Sequence, residues 1–157
     1  MNLLVLNLAF AALFAILLGT GRITDFFLGF GLGYVALWLT KPLYPDTRYF
    51  KKFPKALNLT GFFLKELAIS NLKVLWDVIT PGHINRPGII GVPLDARTDL
   101  EIFLVANLLS LTPGTLSIDL SEDRTTLYVH VMFLDDVQQA RLEIKSGLER
   151  RVLEVTR

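Results

Sequence analysis

Cysteine is absent from all 157 residues, which excludes disulfides, thiolate metal sites and cysteine nucleophiles. Histidine is scarce: His83 and His130 are the two, far apart in sequence, so no histidine pair at metal-ligand spacing exists. There is no Walker loop and no dinucleotide fingerprint, and the glycine-rich Gly29-Phe-Gly-Leu-Gly33 lies inside an apolar run. The carboxylate pair Asp135-Asp136 is explained by helix capping. His130 falls on the polar face of a strand, which makes it a surface or interface residue. No basic patch interleaved with aromatics occurs, so nucleic acid is not an expected partner. No enzyme, no cofactor and no metal site is expected. Charge is missing from the start of the chain: Arg22 and Asp25 are the two formal charges in residues 1–40.

What remains there is apolar. Two blocks, 3–18 and 26–39, flank those charges, and the whole chain is 52% hydrophobic with a mean hydropathy of +0.46. A helix rises about 1.5 Å per residue and the hydrocarbon core is about 30 Å thick, so a span takes roughly 20 residues. The sequence therefore predicts a transmembrane hairpin over 1–43, with spans at about 2–20 and 24–43. A signal peptide fits poorly, because no Lys or Arg precedes the first block and a second block follows at once. A fully buried hairpin of a soluble domain is the other reading. Beyond the second block, Lys41, Arg48, Lys51, Lys52 and Lys55 face Asp46 alone. Such loops stay cytoplasmic, so 44–55 reads as a basic cytoplasmic loop, with the N-terminus on the same side. Trp38, Tyr44, Tyr49 and Phe50 cluster at that boundary, where amphipathic rings prefer to sit. Gly29 and Gly33 share a helix face, suited to close contact with the first block or with another subunit. No titratable side chain lies deep in either span. Ion pathways need such groups, so this chain is a poor carrier by itself.

Pro54 closes the basic loop, and a helical pattern occupies 56–80. Asn58, Lys65, Glu66, Ser70, Lys73 and Asp77 fall on one face; Leu57, Leu64, Leu67, Leu72, Leu75 and Trp76, with Phe62 and Phe63, cover the rest. This reads as an amphipathic interfacial helix, with a third span or a core helix of the next domain as alternatives. A loop at 83–88 places His83 and Arg86 where an anion could bind, although a solvated loop is the simpler reading. The acidic part, 88–157, carries eleven Asp/Glu against seven Lys/Arg. Its pattern is a strand at 89–94, a helix capped by Thr98 with Glu101 as capping box, two alternating strands joined by 121–124, and a helix opened by Asp135 or Asp136. Leu116, Ile118 and Leu120 are expected to point one way, Ser117 and Asp119 the other. Val137, Ala140, Ile144, Leu148 and Val152 make the last helix's stripe. The order β-α-β-β-α is an incomplete ferredoxin-like sandwich, its closing strand missing or a stub near 152–155. Fold class is thus a membrane α-helical hairpin plus a small cytoplasmic α+β domain.

The run Asn107-Leu-Leu-Ser-Leu-Thr-Pro-Gly-Thr-Leu-Ser-Ile-Asp119, followed by Thr126-Leu-Tyr-Val-His-Val131, resembles the signature of the E subunit of Mrp-type multisubunit cation/proton antiporters. The layout around it is similar too. The resemblance implies a prokaryotic inner-membrane complex that exchanges sodium or another monovalent cation for protons. It implies as partners large subunits like the proton-pumping subunits of respiratory complex I, small hydrophobic subunits, and the lipid bilayer. It implies a role in assembly and stability of the complex and none in carrying ions. On the residues alone, Pro113 and Gly114 end a helix sharply, and Ser110, Thr112 and Thr115 can satisfy the freed backbone groups. Gly29, Gly33, Asn107, Ser110, Thr112, Pro113 and Gly114 are the candidate subunit-interface residues. A membrane-tethered regulatory or ligand-binding module is the second reading, by analogy of fold alone; a membrane-anchored enzyme is the third.

Overall fold

Asn2 opens the first helix: its side-chain oxygen accepts from the Leu4 amide at 3.1 Å. In the computed structural model, which describes residues 2–44, 48–82 and 85–157, α1 covers Leu3–Leu18 and α2 covers Ile23–Leu39. Asp46 and His83 lie outside the described residues. Gly19 and Gly21 adopt φ of 64° and 67°, a region glycine enters without steric penalty, and the chain reverses between the helices there. The two helices meet at Gly29 and Gly33. A Cβ on Gly29 would stand 2.8 Å from Phe14 Cβ and 3.1 Å from Ala11 Cα, and one on Gly33 would collide with Asn7 Oδ1. Asn7 is fully buried and donates from Nδ2 to the Tyr49 hydroxyl at 2.8 Å. Tyr34 stacks near Phe53 (4.8 Å between ring centroids) and Phe50 (5.5 Å), which fastens the start of the third helix to α2.

Both helices are shorter than the spans expected from sequence. Sixteen and 17 residues give about 24 and 26 Å at 1.5 Å per residue. Left-handed Gly19 stops α1, and a turn at Thr40 followed by the 3₁₀ segment Lys41–Leu43 stops α2. Among the described residues no helix is long and apolar enough to cross a membrane.

The third helix, α3, is Arg48–Ile79, 32 residues. It starts eight residues before the expected 56, so most of the expected basic loop is helical, and Pro54 lies inside it. Proline has no amide proton for the i−4 carbonyl. The ring contacts of Tyr49, Phe50 and Phe53 hold the segment before it in place despite that loss. The chain divides into two compact units at this proline, Met1–Phe53 and Pro54–Arg157.

In the second unit, β1 (Gly88–Pro93), α4 (Asp99–Ser110), β2 (Thr115–Leu120) and β3 (Thr126–Val131) are followed by α5 (Val137–Glu143), a π-helical turn (Ile144–Glu149) and α6 (Arg150–Thr156). The sheet order is β1-β3-β2 and both pairings are antiparallel. Hence β1 and β2 run parallel with β3 between them, a split β-α-β arrangement. Ile90, Val92, Val129 and Val131 of the sheet pack with Val105 and Leu109 of α4 and with Ile144, Leu148 and Val152. Residues four apart drift around a helix of about 3.6 residues per turn. The π-helical turn widens the helix where the 140–144–148–152 stripe needs it.

Of the two alternatives for the end of the chain, a missing closing strand or a stub, the structure has the first. Residues 152–155 are helical, and no closing strand exists among the described residues. Arg141 Nε donates to Gly91 O at 2.8 Å, and Lys145 Nζ donates to Pro93 O at 2.7 Å. Leu94 N bonds Thr125 O across to β3, so by alternation the carbonyls at 91 and 93 point to the outer edge. Two cationic side chains thus occupy the edge where a fourth strand would pair. One expectation is corrected, and it concerns β2. Leu116 and Ile118 are half exposed, 52% and 50%, while Ser117 turns inward. Its hydroxyl donates to Ala106 O at 2.9 Å, and its amide donates to Ser110 Oγ at 3.1 Å. The end of α4 lies over β2 with carbonyls to satisfy, so the polar residue faces the helix. A bulge between Ser117 and Asp119 follows.

Candidate docking site around the 107–115 turn

Helix α4 ends by bonding its own last turn with side chains. Asn107 Nδ2 donates to Phe103 O at 2.8 Å, Ser110 Oγ to Ala106 O at 2.9 Å and Thr112 Oγ1 to Leu108 O at 3.0 Å. Thr115 Oγ1 donates to Leu109 O at 2.6 Å and sits 2.9 Å from Thr112 O. Gly114 holds φ of 87°, which a side chain would strain, and passes Phe133. The polar residues of this stretch therefore serve the turn's own backbone.

Around this turn lies a cleft of about 170 Å³. Thr112, Pro113, Gly114 and Thr115 form one wall; Phe62, Phe63, Glu66, Ser70 and Lys73 of α3 form another. Val131, Phe133, Ile144 and Leu148 make an apolar floor. Phe62 is fixed by Arg151, whose guanidinium lies 3.9 Å from the ring centroid, donates to Gly147 O at 2.7 Å and bonds Asn58 Oδ1 at 3.2 Å.

The candidate residues separate into three places. Thr112, Pro113 and Gly114 line the cleft. Asn107 and Ser110 are exposed on α4, near exposed Phe103 and Leu111. Gly29 and Gly33 are buried in the other unit against α1, so their close contact is made within the chain.

The polar stripe of α3 faces the α+β lobe. Asn58 meets Arg151, Glu66 and Ser70 line the cleft, and Asp77, 2% exposed, accepts from Asn85 N and Nδ2 at 3.1 and 2.9 Å. The side left uncovered is apolar: Leu57, Leu64, Leu72, Leu75 and Trp76 are each more than half exposed.

The burial of two carboxylates, Glu101 and Glu149, was not legible in the sequence. Glu149 accepts from Asp95 N at 2.6 Å and Ala96 N at 2.9 Å; Glu101 accepts from Arg97 N at 2.9 Å and Thr98 N at 3.2 Å. Four successive amides between β1 and α4 are thus held by two side chains. Lys145 stands 3.6 Å from Glu149 Oε2, and Arg157 Nε bonds Glu101 Oε1 at 3.0 Å. The Arg157 guanidinium, then the Arg97 amide, hold the Glu101 carboxyl down at about 2. The capping box signalled Glu101's place at the helix start but not its burial. Nothing in the helical stripe signalled Glu149, because a π-helical turn brings it inward.

These features define a class: a helical unit with an apolar exterior, joined to an α+β lobe that leaves Phe103, Leu111, Leu116 and Ile118 exposed, as in a component of a larger assembly. The family described as Na+/H+ ion antiporter subunit matches residues 7–155, and the chain belongs to that family. Its relatives include the E subunit of the Na+/H+ antiporter of Alkalihalophilus pseudofirmus, 32% identical over 154 residues and 98% of each chain. They also include the E1 subunit of the Na+/H+ antiporter of Staphylococcus haemolyticus, 36% identical over 152 residues, 97% of this chain and 96% of that one. Among solved structures, a chain of the Mrp complex from a Dietzia species is similar with a TM-score of 0.51 and 27% identity, covering 65% of this chain and 94% of that one. A chain of the membrane-bound sulfane sulfur reductase, an archaeal respiratory membrane complex, shares the fold with a TM-score of 0.58 and 18% identity over 96% of each.

Proposed function

We propose that the chain is a non-catalytic subunit of a multisubunit monovalent cation/proton antiporter complex, where it supports assembly and stability of the ion-translocating subunits. One observation carries this reading: α1 has no charged side chain at all, and α2 has Asp25 alone, in its first turn. A proton or cation path needs titratable groups at depth. The names of the relatives supply the complex. In this reading the 1–43 hairpin lies in the inner membrane of a prokaryote, with the N-terminus and the α+β lobe on the cytoplasmic side. Exposed Leu13, Ile16, Phe27, Leu32 and Val35 suit lipid contact or contact with apolar subunits. Helices of about 24 to 26 Å fall short of a 30 Å hydrocarbon core, a mismatch that local thinning of the bilayer accommodates. The uncovered face of α3 then rests on the membrane interface or on a neighbouring subunit. Large complex I-like subunits and small hydrophobic subunits are its partners.

The test removes this chain from cells that express the complete antiporter. Membrane levels of the other subunits and sodium/proton exchange are expected to fall together, while the purified chain in liposomes moves no sodium. Full assembly without the chain, or sodium movement by the chain alone, overturns the reading. Because cysteine is absent, single cysteines at Lys55 and Arg157 can be labelled without background. Both are expected to react from the cytoplasmic side.

A further inference from the structure

The cleft beside the 107–115 turn carries charge that the lobe leaves unanswered. Glu66 is half buried between Phe62, Phe63 and Ser70, and has no hydrogen-bond or ion-pair partner among the described residues. A carboxylate that has lost part of its water without gaining a cation is costly. Glu143 shares this rim and takes one neutral bond, from Gln139 Nε2 at 2.9 Å. A polar groove continues from it past Asp135 and Asp136. Asp136 caps α5 through the Gln138 amide, and against the four carboxylates stand Lys73 and Arg86. The floor is apolar, and about 150 Å³ of dry cavity holds a benzene ring, so the 170 Å³ here admits one Leu or Phe side chain.

We infer that this cleft receives a cytoplasmic segment of a neighbouring membrane subunit, which seats one apolar side chain on the floor and sets a Lys or Arg against Glu66. The inference rests on the subunit reading above. Short cytoplasmic loops of membrane proteins are rich in Lys and Arg, which matches an acidic rim. A second copy of this chain would bring the same acidic rim, and an anionic lipid headgroup the same sign of charge, so both are opposed.

The test uses the full chain co-expressed with the complete antiporter and purified in mild detergent. A photo-crosslinking amino acid replaces Ser70, and crosslinked peptides are read by mass spectrometry. The expected product joins Ser70's position to a membrane-subunit segment in which Lys or Arg neighbours an apolar residue. Glu66→Lys should lower its yield about tenfold, as expected when one member of a partly buried charge pair is reversed. Glu66→Gln should lower it less, and reversing the crosslinked cation to Glu should restore the Glu66→Lys variant. Ala140 also lines the cleft, and filling it with Ala140→Phe should abolish the product, with the circular dichroism spectrum showing that each variant is folded. Crosslinks to lipid, to a second copy, or to none while the subunits still co-purify overturn the docking site. Failure of the wild-type chain to co-purify with any antiporter subunit overturns the subunit reading instead.

Discussion

Glu101 offers a direct check on how the lobe is held together. Its carboxyl moves from an ordinary 4.5 to about 2, chiefly through Arg157 and then the amides of Arg97 and Thr98. A lowered acid stabilises the fold above its unfolded pKa, and that contribution disappears as pH falls through the folded value. Here the window runs from about 4.5 down to about 2. The difference between those two values corresponds to at most about 3.4 kcal/mol. Arg157 is 55% exposed, so water and salt weaken its share, and about 1 to 2 kcal/mol is the expected value. Glu101→Gln keeps the shape and one oxygen acceptor but removes the charge. Urea unfolding of the full chain in mild detergent, followed by circular dichroism, measures the outcome. At pH 7 the variant should be about 1 to 2 kcal/mol less stable than the wild type. The difference should shrink below pH 4.5 and vanish near pH 2. A constant difference across that range, or none at pH 7, would refute the charged clamp.

Gly33→Ala should destabilise the α1–α2 pair by about 1 to 3 kcal/mol, because its methyl meets Asn7 Oδ1; thermal denaturation in detergent reads this. Arg141→Ala with Lys145→Ala should expose the β1 edge, and size-exclusion chromatography of the detergent-solubilised chain should show higher oligomers than the wild type gives. Arg151→Ala should cost about 1 to 2 kcal/mol in urea unfolding, through loss of the Phe62 stack and the bond to Gly147 O.

Local signals set by immediate neighbours were readable in the sequence. The Thr98 capping box, a cap for the last helix at Asp135 or Asp136 (it is Asp136) and the 121–124 hairpin link needed nothing beyond a few residues on either side. Failures came where a distant partner decided. Leu116 and Ile118 alternate like core residues, yet the end of α4 demanded a hydroxyl, and Ser117 took the inner position. Pro54 reads as the end of a loop with the helix starting after it, but aromatic packing before it lets the helix begin at Arg48. Apolar length at 2–20 and 24–43 overestimated both helices, because positive-φ Gly19 and the turn at Thr40 set the ends. Of the candidate site, Thr112, Pro113 and Gly114 were legible as a motif, while the α3 wall of the cleft was not. The polar stripe of α3 was visible, and what it faces depended on tertiary packing.

That orientation of α3 bears on the life of the chain before it meets its partners. A helix that turns Asn58, Glu66 and Asp77 indoors leaves Leu64, Leu72 and Trp76 to the outside. An orphan copy released from the ribosome therefore carries a sticky flank that chaperones and proteases recognise. On the proposed subunit reading, surplus chains are expected to be cleared, so that the amount of this polypeptide in the cell follows the number of places open to receive it.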